Sequence, residues 1–300
     1  MSEATVLAEG LAHPEGPDVL ADGRVVFVET FLGRISSWDP QHGVRAYAVV
    51  GGAPNACMLG DDGLYVTQNG GTLGEWQAPD PTTPSIQRVA PGGGVEIVAS
   101  VADGEPLVAP NDLSFGPDGV LYFTDPGHWN TEDPGPGRIC SISEPGLAEV
   151  IEETGPTYPN GIVVEADGSL VWVESYTRRV LRRRPGGAVE VLITLPEGHI
   201  PDGLKVAATG DLYVTTITSG GIDVLSPGGE SLGLVETGGE PQNCVFSGRD
   251  LYVTDFGAKV SQFSEEGMKA AAECGRLLRV DVGVEGMPLF RGSLGRGSAS

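Results

Sequence analysis

His13-Pro14-Glu15-Gly16-Pro17, Pro110-Asn111-Asp112-Leu113, Pro159-Asn160-Gly161-Ile162 and Pro201-Asp202-Gly203-Leu204 are copies of one plan: a proline, an oxygen-bearing side chain, then an apolar run. Pro54-Asn55 and Pro241-Gln242 complete a set of six, with successive prolines 40, 56, 49, 42 and 40 residues apart. Periods of that length mark a propeller, solenoid or array. After each step comes a short strand, a turn built on Asp or Gly, and an alternating strand. Examples are Ala21-Asp22-Gly23 before Val25-Val26-Phe27-Val28 and Asp61-Asp62-Gly63 before Leu64-Tyr65-Val66-Thr67. Asp-Gly between alternating apolar runs is a strong hairpin signal, because glycine accepts the positive φ of a tight turn. Six such hairpins, the first five each followed by two further strand-like pieces, predict an all-β fold, a six-bladed β-propeller with four antiparallel strands per blade.

The sixth unit has a late strand, Arg276-Leu277-Leu278-Arg279-Val280, but no clear fourth one. Thr5-Val6-Leu7-Ala8 from the N-terminus is expected to supply it, closing the ring and covering an open edge. One domain over residues 1–300 is therefore expected, with an insertion over 258–275 and a flexible Gly- and Ser-rich tail over 292–300. The Gly70 to Pro84 stretch reads as a long loop on one blade.

Composition narrows the function classes. The net charge is −23, and only 3 of the 18 basic residues are lysines, so no nucleic-acid or anionic-membrane partner is expected. Arg178, Arg179, Arg182, Arg183 and Arg184 form one basic run, read as the solvated side of a strand and its hairpin. Four cysteines without C-x-x-C grouping indicate neither a disulfide framework nor a zinc knuckle. The first residues show no basic segment followed by an apolar run, so a reduced, cytoplasmic setting is the expectation. Oligomeric state is left open.

Antiparallel pairing puts the start of a hairpin's first strand and the end of its second at one end of the blade. One face of the ring then carries Glu15 with Glu29, Asn55 with Gln68 and Asn69, and Asn111 with Asp125, His128 and Trp129. It also carries Asn160 with Glu174 and Tyr176, Asp202 with Thr216, and Asn243 with Asp255 and Phe256. A hard cation takes six to eight oxygens from carboxylates, amide carbonyls and water. Glu15 and Asp202 supply two charges and Asn111 and Asn160 two neutral oxygens, leaving positions for water or substrate. No histidine pair has metal spacing, so a His/Cys zinc site fits poorly. Asn and Asp after proline are also frequent turn formers. Glu15 is not a turn residue, and metal ligation is the stronger reading for it.

The ordered set of steps, with Tyr122-Phe123-Thr124-Asp125-Pro126 and Asn243-Cys244-Val245-Phe246, resembles the senescence marker protein, gluconolactonase and luciferin-regenerating enzyme family along nearly the whole chain. The resemblance implies a six-bladed propeller with one catalytic divalent metal in its channel, hydrolysing lactones or, in the related diisopropyl fluorophosphatase, organophosphate esters. Carried over by position, Glu15, Asn160 and Asp202 match metal ligands, and Asn111 matches an asparagine that binds metal or substrate. Asp202 also matches the proposed general base. The implied cofactor is one divalent ion, Ca²⁺ first, with Zn²⁺, Mg²⁺, Mn²⁺ and Fe²⁺ as alternatives. The implied partner is a small-molecule lactone or ester; on the face read from the hairpin ends, Asn55, His128, Trp129, Tyr176 and Asn243 are the further candidate substrate contacts. Several sugar-lactonase members carry an arginine where this chain has Ala109, so a less polar substrate is expected. Alternatives are an organophosphate or ester hydrolase on the same site, a non-catalytic binding propeller, and a strictosidine synthase-like lyase or condensing enzyme.

Overall fold

The computed structural model describes residues 4–74, 76–257 and 273–294. Six antiparallel sheets form the blades of one ring. Blade 1 is built from Pro14–Val19, Val25–Glu29, Arg34–Asp39 and Gly43–Val49. Blade 2 runs from Pro54–Leu59 through Leu64–Gln68 and Ser85–Val89 to Val95–Ala99. Blade 3 contains Leu113–Phe115, Leu121–Asp125, Gly137–Glu144 and Leu147–Gly155, extended at its edge by the short pair Val101–Ala102 and Glu105–Pro106. Blades 4 and 5 begin at Pro159–Val164 and Ile200–Val206. Blade 6 takes Pro241–Ser247, Asp250–Asp255 and Gly275–Asp281 from the C-terminal part and Thr5–Leu11 from the N-terminal part, paired antiparallel as expected. Joining distant parts of the chain in one sheet closes the ring and leaves no open seam.

The inner strands are apolar on both sides because they pack against neighbouring blades. Trp172, Tyr65, Phe27, Phe115 and Phe123 are fully buried between sheets. Each such side chain contributes about 1.5–3 kcal/mol relative to exposure. Hydroxyls stitch the seams as well. Thr30 donates to the Pro54 carbonyl (2.8 Å), Thr67 to that of Asn111, Thr124 to Asn160 (2.7 Å), Ser175 to Pro201 (2.8 Å) and Thr215 to Gln242 (2.7 Å). Five times, then, the end of one blade's second strand holds the proline step of the next.

That step is where pairing is irregular. The register of inner strand against second strand slips between Glu15 and Asp18, Pro54 and Ala56, Pro159 and Ile162, Pro201 and Leu204, and Pro241 and Asn243. A β-bulge re-aims the side chains on it. The repeated proline step is therefore a repeated bulge.

The far end of the channel differs from expectation. Gly292, Ser293 and Leu294 were expected to begin a loose tail, yet the chain is tied down as far as Leu294. Ala208 donates to the Glu285 carbonyl (2.7 Å) and Met287 to that of Val206 (2.8 Å). Arg291 pairs with buried Asp18 and donates to the Leu59 carbonyl (2.7 Å). Leu294 is buried, and its N–H donates to the Tyr65 hydroxyl (2.6 Å). Residues 285–294 thus form a strap across several blades; the glycine and serine content masked two anchors, one ionic and one apolar. The remaining tail, 295–300, and most of the expected insertion, 258–272, lie outside the described residues. The Gly70 to Pro84 loop carries a small hairpin, Thr72–Leu73 with Trp76–Gln77.

Candidate active site

Glu15, Asn55, Asn111, Asn160, Asp202 and Asn243 are all buried, each on or beside its blade's proline step. Asn111 stands just ahead of its strand, held by its own N–H on the Thr124 carbonyl (2.9 Å). Charge gathers here. Glu15 is held well above the usual carboxylate range, first by burial and then by the charge of Asp202, with Asp112 adding to it. Burial likewise raises Asp202, and the charge of Asp112 follows. A third acid, Asp112, thus joins the two that the sequence singled out, and no ion pair to any of the three is present among the described residues.

Amides organise this charge. Asn160 donates to the Ser175 hydroxyl (3.1 Å) and hydrogen-bonds Asp202, which leaves its carbonyl oxygen uncommitted. Asn243 donates to Asp112 (3.3 Å) and hydrogen-bonds Glu15, while its oxygen accepts from the Cys244 N–H (2.9 Å) and faces the Lys205 ammonium (3.5 Å). Lys205 is itself buried and donates to the Leu204 carbonyl (3.0 Å). Asn243 therefore ties Asp112, Glu15 and Lys205 together within the cluster. Asn111 hydrogen-bonds the Tyr158 hydroxyl. The Asn55 Oδ1 is buried without a partner.

One strand further out, the same face holds four more carboxylates of different standing. Glu29, Asp125, Glu174 and Asp255 end the second strands of blades 1, 3, 4 and 6, and each is clamped by the arginine that opens the third strand. The pairs are Arg34 (2.6 Å), Arg138 (2.8 Å), Arg179 (2.6 Å) and Arg276 (2.8 Å). Three of them also accept loop N–H groups, Asp125 from Ala109 (2.7 Å), Glu29 from Ala12 (3.1 Å) and Asp255 from Gly257 (2.6 Å), while Glu174 accepts from the Thr177 hydroxyl (2.6 Å). Gln68 does the same work in blade 2, accepting from Ala53 (2.7 Å). In blade 5 the place is taken by Thr216, which donates to Asp223 (2.9 Å), itself paired with His199 (2.8 Å). These groups fasten the loops that enter each blade.

Around the mouth lie rings. Trp129 and Tyr176 are half-buried and pack with buried Tyr158, while His128 is exposed. Opposite, buried His13 lies between Phe31 (4.7 Å) and Phe256 (4.2 Å), and Trp76 stacks on Phe31 (4.6 Å). Burial drives the His13 imidazole down to about 3, so it is neutral at physiological pH. His13 and Tyr158 both have left-handed backbone, φ +57° and +55°, directly before proline. Such a conformation costs a bulky residue on the order of 1–3 kcal/mol. The sequence reading did not single out Asp112, Lys205, His13 or Tyr158 as site residues, because each stands outside the position directly after the proline that carries the oxygen-donor pattern.

The donor set suits a hard cation. Among the described residues no three His, Cys, Asp or Glu side chains form a metal-holding group, so an ion here would depend on amide oxygens beside two acids. Two buried carboxylates raised first by burial and then by neighbouring acid charge, an uncommitted Asn160 oxygen and an orphaned Asn55 oxygen are what oxygen-ligated cations use. Cysteines contribute nothing soft: Cys57, Cys140 and Cys244 are buried free thiols and Cys274 is exposed.

Residues 13–256 match the model of the SMP-30/Gluconolactonase/LRE-like region. A gluconolactonase of Zymomonas mobilis is 25% identical over 289 residues, covering 83% of this chain and 78% of that protein. The luciferin-regenerating enzyme structure superposes with TM-score 0.77 at 18% identity, over 97% of this chain and 99% of the other. A calcium-binding protein, regucalcin, from Agrobacterium tumefaciens gives TM-score 0.76 at 18% identity, over 98% of both chains. At these identities the two structures speak for the fold.

Proposed function

Because the chain belongs to the SMP-30/gluconolactonase/LRE-like family, we propose that its axial cluster hydrolyses a lactone with the help of one divalent cation, calcium before the alternatives. The observation that carries this reading is the unpaired, buried Glu15 and Asp202, which repel each other unless a cation lies between them. Glu15, Asp202, Asn160 and Asn111 would hold it. When bound, such an ion supplies Lewis acidity, polarising the lactone carbonyl and offsetting the negative charge that develops there.

The chain's own groups do the rest. Asp202 takes a proton from the attacking water at a carboxylate oxygen and returns it to the ring oxygen as the C–O bond breaks. The product is a hydroxy acid. Asn160 is fixed by Ser175 and hydrogen-bonds Asp202, holding that carboxylate in place. Tyr158 steadies Asn111 against the bound ester.

Chelator-stripped protein is expected to lose hydrolysis of a lactone panel and regain it with one equivalent of Ca²⁺; metal analysis measures the stoichiometry. Undiminished turnover after stripping would falsify the metal-dependent reading. Absence of turnover on lactones, esters and phosphotriesters alike, with the ion bound, would leave a binding propeller instead.

A further inference from the structure

His13 and Tyr158 occupy the same place in two blades, immediately before the proline step, and both are left-handed there. Ala53, Ala109, Ile200 and Glu240 hold that place in the other four blades without positive φ. Blades 1 and 4 face each other across a ring of six. Each strained residue carries a buried ring, and each buried ring backs a bank of half-buried ones: Phe31 and Trp76 beyond His13, Trp129 and Tyr176 beyond Tyr158. Tyr158 touches Asn111, and His13 is two residues from Glu15, so both banks adjoin the axial cluster.

The arginines nearby are committed. The four arginines of blades 1, 3, 4 and 6 are locked on carboxylates, and Ala109, two residues before Asn111, presents only a methyl group. A polyhydroxylated ring between aromatic walls would leave hydroxyls without partners, which is costly. A flat ring would instead meet edges and faces at the 4.5–7 Å separations that aromatic pairs prefer. Strained backbone persists where the surrounding structure fixes it, typically at ligand clamps.

We propose that the two banks clamp the substrate, and that the lactone bears a flat apolar group, an aryl ring fused to or carried on the cyclic ester. This rests on the lactone-hydrolase reading of the axial cluster. The experiment compares a benzo-fused δ-lactone, δ-valerolactone and glucono-δ-lactone on the calcium-loaded wild type, Phe31→Ala and Tyr176→Ala. The wild type is expected to favour the benzo-fused substrate at least tenfold in kcat/KM. Each variant should lower that preference about tenfold, one such factor being the usual scale of a single lost contact near 1.4 kcal/mol. Preference for glucono-δ-lactone, or equal losses on all three lactones, overturns the clamp. Quenching of tryptophan fluorescence by the ring-opened aryl hydroxy acid gives a second reading that needs no turnover. If no lactone is hydrolysed yet quenching is present in the wild type and weakened in both variants, the hydrolase reading falls and the clamp stands; no quenching with no aryl preference overturns the clamp.

Discussion

Two rings of acids lie on the same face of this propeller, one strand apart, and they are opposites. Glu15, Asp112 and Asp202, on the innermost strands, have amides for neighbours and each other's charge for company. Glu29, Asp125, Glu174 and Asp255, on the second strands, each have an arginine within 2.8 Å. A buried carboxylate with a guanidinium and loop N–H groups is a structural fastening. One without them is a stored charge that a cation can satisfy. Position on the first or second strand separates chemistry from architecture, though the residue types are the same.

Asp202→Asn tests the inner ring most sharply. It is expected to cut kcat about 10²–10⁴-fold, the span attributed to general acid–base groups. It should also raise the melting temperature of the metal-free protein, because a repelling buried charge is gone. Steady-state kinetics and thermal melts in chelator check both halves, and a lowered metal-free melting point would undo the distinction between the rings. Arg138→Met is the converse. Stranding the fully buried Asp125 should cost about 3–5 kcal/mol in denaturant unfolding while leaving kcat per folded molecule near wild type. A loss of kcat without a loss of stability would move the outer ring into the chemistry.

Leu294→Ala asks whether the strap over residues 285–294 is also fastening. Removing this buried side chain should cost about 2–5 kcal/mol, read by the same unfolding curves, with KM unchanged. The smallest effect is expected at Glu240, beside the outer ring. Burial, and then the charge of Asp255, raise its carboxyl from 4.5 to about 7, and its Oε2 is buried without a partner. A raised acid binds more protons folded than unfolded, so stability falls as pH rises from about 4.5 to about 7. Glu240→Gln should therefore stabilise the protein at pH 8 and make little difference at pH 4. Equal shifts at both pH values would show that the charge is not the cause.

Much of this was legible in the chain. Six proline steps with Asp-Gly hairpins foretold the blade count, and Thr5-Val6-Leu7-Ala8 was correctly placed as the closing strand. Oxygen donors after each proline pointed to one face. The pairing of Glu15 with Glu29 and of Asn111 with Asp125 was right about the end of the blade and silent about the arginines. Glu29 to Arg34 and Glu174 to Arg179 are five residues apart across a tight turn, a spacing that could have been noticed. Asp125 to Arg138 and Asp255 to Arg276 span longer connections and show no such regularity. The five-arginine run also proved structural: Arg182 is buried on Glu165 (2.6 Å), and Arg183 and Arg184 pair with Glu152 and Glu190.

By itself the sequence determined the ring, its closure and the kinds of atom on its axis, because hairpin turns and strand alternation are local rules repeated six times. Only the tertiary structure decided which acids are neutralised, since an ion pair depends on where a strand three residues or thirty away returns. It also decided that Asp112 and Lys205 join the cluster, that Asn243 ties them together, and that the residues before two of the six proline steps, His13 and Tyr158, are left-handed. Those are properties of distances across the axis, to which a linear spacing is blind.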